Sequence, residues 1–112
     1  MSSITTHVLD TSTGRPAAGV PVTLEKQTGA SWQSVGQGVT NQDGRITHLL
    51  GDAPLTPGIY RLIFDTAAYF SARKQASFYP QVQVMFTVGD AGQHYHVPLL
   101  LSPFGYSTYR GS

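Results

Sequence analysis

The chemistry open to this chain rests on four histidines, a few arginines and a closing stretch rich in Tyr and Ser. His94 and His96 stand two residues apart, a spacing that puts both side chains on one face if the segment is a strand. Two imidazoles on one face can bind a metal or move a proton near neutral pH. Zinc asks for three or four protein ligands, and no Asp, Glu or Cys accompanies the pair locally. A metal site is thus the least favoured of three readings, behind acid–base work and a pair of solvated side chains. His7, between Thr6 and Val8, is a third imidazole that would be out of place in an apolar core. Arg45 follows Asp43-Gly44 at the mouth of a turn, and Arg110 stands near the end; each alone reads as an ordinary solvated cation. Composition permits a Ser-His-Asp triad, but no G-x-S-x-G elbow accompanies it. Gly-rich phosphate loops of the Walker or Rossmann type are missing too.

Strands must position these residues. Ile4 to Asp10 alternates, with His7 and Leu9 on one face and Thr6 and Val8 on the other. Val20, Val22 and Leu24 alternate in a second strand opened by Gly19 and Pro21. Trp32 to Thr40 reads as a third, in which Gly36 and Gly38 suggest a bulge or a close backbone approach. Asn41-Gln42-Asp43-Gly44 is a hairpin signal, with a short strand from Arg45 to Leu49 after it. Ile59 to Asp65 is a nearly continuous apolar run, as in a buried strand. Thr66 to Gln75 is the helical candidate, capped by Asp65 or Thr66. Val82, Val84, Phe86 and Val88 alternate cleanly, and Gly89-Asp90-Ala91-Gly92 reads as a hairpin turn into a strand from His94 to Leu101. Ser102-Pro103-Phe104-Gly105 is a turn, and Tyr106 to Arg110 a last strand. The pattern predicts an all-β fold: an antiparallel sandwich of seven to eight strands with one short helix, as a single domain over residues 1–112.

The totals narrow the function. A chain of 112 residues, 40% hydrophobic, can bury a small core, which burial between subunits would assist. A net charge of +1 gives no footprint for nucleic acid or an anionic membrane. Charged residues make up 12%, about half the usual share, as in chains that hide surface in an oligomer. The absence of cysteine excludes disulfides and thiolate chemistry. No apolar run approaches the ~20 residues of a membrane span. No apolar segment follows Met1, so a cytoplasmic protein is expected.

Four segments, Thr6-His7-Val8-Leu9-Asp10, Asp43-Gly44-Arg45, His94-Tyr95-His96-Val97-Pro98-Leu99-Leu100-Leu101-Ser102-Pro103 and Tyr106-Ser107-Thr108-Tyr109-Arg110-Gly111-Ser112, closely resemble the 5-hydroxyisourate hydrolases, transthyretin-related enzymes of urate breakdown. The resemblance covers nearly the whole chain, and Tyr109-Arg110-Gly111-Ser112 is its most specific part. It implies a transthyretin-like sandwich of two four-stranded sheets with one short helix. It also implies a homotetramer, a dimer of dimers, with active sites in a channel at the dimer–dimer interface. His7, Arg45 and His96 fall on the family's catalytic positions, and Ser112 completes the polar site. Tyr109, Arg110 and Gly111 fall on its C-terminal signature, where substrate is bound. Strand parity qualifies this for Arg110, which points with Thr108 away from Tyr109 and Gly111 and so suits an orienting or interface role.

The implied reaction opens a ring amide of 5-hydroxyisourate to give 2-oxo-4-hydroxy-4-carboxy-5-ureidoimidazoline. Water must lose a proton to a base, either His7 or His96, and a donor must hold the developing oxyanion. Arg45 is a fixed cation suited to that oxyanion or to an anionic ring. The expected partners are the small-molecule substrate and further copies of the chain; no metal or organic cofactor, nucleic acid or membrane is expected. Two other classes compete. A transthyretin-like carrier of small hydrophobic ligands would lack the histidines and the terminal Tyr-Arg-Gly-Ser. An immunoglobulin-like module would carry a Cys…Trp…Cys spacing that this sequence lacks.

Overall fold

Alternation of buried and outward residues organises the computed structural model, which describes residues 4–112. Strand β1 (Ile4–Asp10) buries Ile4, Thr6, Val8 and Asp10, and turns Thr5, His7 and Leu9 outward. The chain continues through β2 (Arg15–Pro16), β3 (Pro21–Thr28), β4 (Ser31–Val39), β5 (Arg45–Ile46) and β6 (Gly58–Phe64). Helix α1 (Thr66–Ala72) follows, then β7 (Val82–Val88), β8 (Tyr95–Ser102) and β9 (Gly105–Thr108). One sheet has the order β2-β1-β8-β9, with β5 also paired to β1; the other has the order β4-β3-β6-β7. Their inner faces enclose a core in which Leu24, Tyr60, Leu62, Phe64, Phe70 and Leu99 are fully buried. Each such side chain contributes about 1.5–3 kcal/mol of transfer free energy.

The sandwich and its single helix are as the sequence predicts; among the described residues the strands number nine rather than seven to eight, with β5 ending at Ile46 and β9 at Thr108, and three further differences stand out. First, β1 and β8 are parallel, so one sheet is mixed. Second, the turns at Asn41–Gly44 and Gly89–Gly92 do not join hydrogen-bonded neighbours. β4 lies in one sheet while β5 pairs with β1 in the other, and β7 and β8 are likewise in different sheets. These turns carry the chain across the sandwich, whereas Ser102–Gly105 does close a hairpin, β8 with β9. Third, the helix stops at Ala72 rather than Gln75. Asp65 caps its start by accepting from Ala68 N, and Lys74 closes its end in a left-handed conformation with φ 57°. The expected irregularity of the third strand is there: the β3–β4 register shifts between Leu24 and Glu25, leaving Val35 as the extra residue.

Helix and site-bearing sheet are tied by a buried polar cluster. The Tyr69 hydroxyl donates to Asp10 Oδ2 at 2.7 Å, and Ser12 N donates to Asp10 Oδ1 at 3.0 Å. Burial alone would raise the Asp10 carboxyl; the hydrogen bonds from Ser12 and Tyr69 more than reverse that and hold it below its ordinary value. Burial, together with donation to Asp10, pushes the Tyr69 hydroxyl up to about 12. Among the described residues no helix is long and apolar enough to cross a membrane.

Candidate active site

Register brings the candidate residues together on the outer face of the β1–β8 sheet. In the parallel ladder Thr5 lies beside His96 and His7 beside Pro98. On the other edge of β1, Arg45 of β5 is paired with His7. On the far side of β8, His96 is bridged to Gly111, whose N–H donates to the His96 carbonyl oxygen at 2.8 Å. Arg45, His7, His96 and Gly111 therefore occupy adjacent chain segments, each about 4.8 Å from the next.

Local chemistry explains each placement. The Asn41 side-chain oxygen accepts from Asp43 N at 2.9 Å and from Arg45 N at 3.0 Å, which folds the turn before Arg45. Gly44 sits at φ 74°, and a methyl group there would meet the Val8 carbonyl oxygen at 2.4 Å. Only glycine lets the turn press against β1, where Val8 N donates to Gly44 O at 2.7 Å. Arg45 thus emerges beside His7 with its side chain exposed, and among the described residues it makes no ion pair. Gly111 meets a similar constraint from the other side. An added methyl group would stand 2.6 Å from His96 Cδ2 and 3.2 Å from Pro98 Cγ, so the tail lies flat on the His96 ring.

Burial and nearby cations both favour the neutral form of the two imidazoles. Burial lowers the pKa of His7, the Arg45 guanidinium lowers it further, and Asp43, through its backbone and its carboxylate, pulls partly the other way. Burial likewise lowers His96, with added repulsion from Arg45, His7 and His94. A neutral imidazole has one lone pair and one N–H, as acid–base work requires. Among the described residues, no group of three or more His, Asp or Glu side chains is arranged to hold a metal ion.

Tyr109, Arg110 and Ser112 complete the predicted set, with different outcomes. Tyr109 lies between β9 and the Gly111 bridge to His96, and its side chain is 56% exposed. Ser112 follows directly and is exposed. Arg110 turns away, as its parity with Thr108 predicts. Its guanidinium lies 4.7 Å from the centroid of the Tyr95 ring and donates to Gln93 Oε1 at 2.9 Å. It borders a groove of about 230 Å³ along the open edge between β7 and β8, which His96 and Tyr109 also line.

Sequence reasoning missed Thr5. Its hydroxyl lies 2.8 Å from His96 Nδ1 and 3.0 Å from His94 Nε2, linking the two histidines. The signal was an outward-facing hydroxyl two residues before His7, and it becomes readable only once the parallel register is known.

Comparison with known proteins identifies the family. The family described as HIUase/Transthyretin matches residues 4–111. A Caenorhabditis elegans protein named as a probable 5-hydroxyisourate hydrolase is 50% identical over 99% of this chain and 82% of its own length. The structure of Klebsiella pneumoniae 5-hydroxyisourate hydrolase superposes with a TM-score of 0.86 and 41% identity, covering 97% of this chain and 98% of that one. Sea bream transthyretin in complex with thyroxine superposes with a TM-score of 0.92 and 32% identity, covering 98% and 95%. The chain belongs to the HIUase/Transthyretin family.

Proposed function

We propose that this chain hydrolyses 5-hydroxyisourate, opening a ring amide to yield 2-oxo-4-hydroxy-4-carboxy-5-ureidoimidazoline. The observation that carries this reading is the outer-face row that brings Arg45, which makes no ion pair among the described residues, together with two imidazoles, His7 and His96. In the reaction one imidazole takes a proton from water, whose oxygen attacks the ring carbonyl carbon. The carbon–nitrogen bond then breaks and the nitrogen takes up a proton. Arg45 holds the developing oxyanion or an anionic ring. Tyr109, Gly111 and Ser112 form the neighbouring wall, where the Ser112 hydroxyl orients water or substrate. Arg110, clamped over Tyr95, fixes the path of this tail rather than touching substrate. The relatives named as hydrolases support the reading, because the similarity spans nearly the whole chain.

The protomer leaves this face open, so the site takes its remaining wall from another copy in a tetramer built as a dimer of dimers. Outward apolar groups such as Leu9 and Leu100, with Tyr109 beside them, give that contact its surface. Light scattering at micromolar concentration tests this; a monomer there contradicts a shared site. For the activity, the test is the ultraviolet absorbance decay of freshly generated 5-hydroxyisourate with and without the protein. A decay no faster than the spontaneous one ends the proposal. Removing Tyr109 to Ser112 abolishes turnover with the fold intact; full turnover by that variant takes the tail out of the mechanism.

The thyroxine-bound transthyretin structure favours a second reading, a carrier of small apolar ligands. Calorimetric titration with thyroxine separates the two: tight binding without hydrolysis supports the carrier.

A further inference from the structure

The Thr5 hydroxyl has one proton to give and two imidazole nitrogens within reach, His96 Nδ1 at 2.8 Å and His94 Nε2 at 3.0 Å. It can donate to one and accept from the other, and the choice fixes the tautomer of both rings. If Thr5 donates to His96, the His96 proton sits on Nε2 and the ring offers no lone pair to the outer face. If Thr5 donates to His94, His96 carries its proton on Nδ1 and Nε2 is free to act as a base. We infer that Thr5 and His94 are positioning residues that hold His96 in this second state, making its Nε2 the general base. The inference rests on the hydrolase reading above and specifies which imidazole does the work.

Two observations favour the second state. His94 is exposed, so its own proton can sit on Nδ1 facing water, which leaves Nε2 to accept from Thr5. His96 is half-buried, and among the described residues its Nε2 has no hydrogen-bond partner. Among the described residues no buried side-chain nitrogen is left without a partner, so this Nε2 opens to the outer face, where its lone pair can meet water. When Nε2 takes the proton from water, the Nδ1–H bond to Thr5 stays in place, so no hydroxyl has to rotate during the reaction. That proton then passes from Nε2 to the leaving ring nitrogen, which restores the starting tautomer. The other charged or titratable groups facing the ring are Arg45 from β5 and His7 from β1; Gly111 brings none on the tail side.

Nitrogen-15 spectra of the histidine rings in the full chain test this, with the His96 signals identified by their loss in His96→Gln. The native His96 is expected to be protonated at Nδ1. In Thr5→Val, which keeps the branched shape a strand favours, the proton moves to Nε2 and kcat falls roughly tenfold or more with KM little changed. Thr5→Ser restores tautomer and kcat together. His94→Ala frees the Thr5 hydroxyl to donate to His96 and gives the same two changes. Native His96 protonated at Nε2 overturns the inference, as does a native-like tautomer in both Thr5→Val and His94→Ala. Unaltered turnover by His96→Gln overturns instead the role of His96 in hydrolysis, a failure the spectra distinguish from the first.

Discussion

Replacing Gly111 with alanine isolates the contact between the tail and the His96 ring. The new methyl group would start 2.6 Å from His96 Cδ2, with Pro98 Cγ at 3.2 Å on its other side. Ordinary carbon contacts lie at about 3.5 Å, so ring or tail must move by about 0.9 Å. Neither moves freely. The ring is hydrogen-bonded to Thr5 at Nδ1, and the tail is held by Gly111 N–H to His96 O and by Arg110 over Tyr95. A misplacement near 1 Å at a catalytic group costs up to roughly 10²-fold. A fall in kcat/KM of about 10–100-fold is therefore expected, or ~1.4–2.7 kcal/mol of lost transition-state stabilisation. Stability should fall too, by up to about 1–3 kcal/mol, the usual cost of overpacking, and by less where the terminal tail lifts from the ring. The assay pairs absorbance decay of 5-hydroxyisourate with thermal unfolding of the same sample. Gly89→Ala is the control, since a methyl group at Gly89 meets nothing within 4 Å. Native turnover by Gly111→Ala would mean that the tail does not define the His96 position, and the reasoning would fail.

Other perturbations follow from named contacts. Arg45→Gln removes a cation that lowers both histidines, so their pKa values rise and the acid limb of the kcat/KM profile moves to higher pH; an unmoved limb refutes the coupling. Because both histidines titrate below 6.5 in the folded chain, their contribution to stability is full above 6.5 and is lost as pH falls through the lowered values. Asp10, also lowered, adds to this loss below 3.8, so denaturant midpoints should fall on acidification through both windows. Tyr69→Phe takes the donor from a buried carboxylate oxygen and should cost about 1–3 kcal/mol, read as a drop in Tm with turnover retained well below it. Lys74→Gly relieves a left-handed residue at the helix end and should raise stability by about 1 kcal/mol in the same melt; a lower Tm would refute the strain.

Much of the site was legible because period-two alternation is local. The limits of β1 and the outward direction of His7 follow from its side chains, and so does the divergence of Arg110 from Tyr109. Asp65 was readable as a cap because capping is a short-range bond. The destination of the strands was not readable. Asn41–Gly44 has the chemistry of a hairpin turn, and the same backbone bonds form whether the next strand pairs with the last or crosses to the other sheet. That choice is made by packing of Ile46 into the core and by Gly44 against Val8. Thr5 was invisible for the same reason, since its importance depends on a register with a strand far along the chain.

The parallel pairing of β1 with β8 has a consequence in time. Thr5 and His96 stand 91 residues apart, so a chain emerging from its N-terminal end carries β1 long before its partner exists. Closing so long a loop is slow relative to forming the β3–β4 or β8–β9 hairpins. Strand β1 therefore joins the sheet as a late event, and the same event lays His7 and Thr5 against His96. Recovery of turnover during refolding should track the docking of β1 rather than the early gain of β-structure, so the enzyme reports on the last long-range step of its own folding.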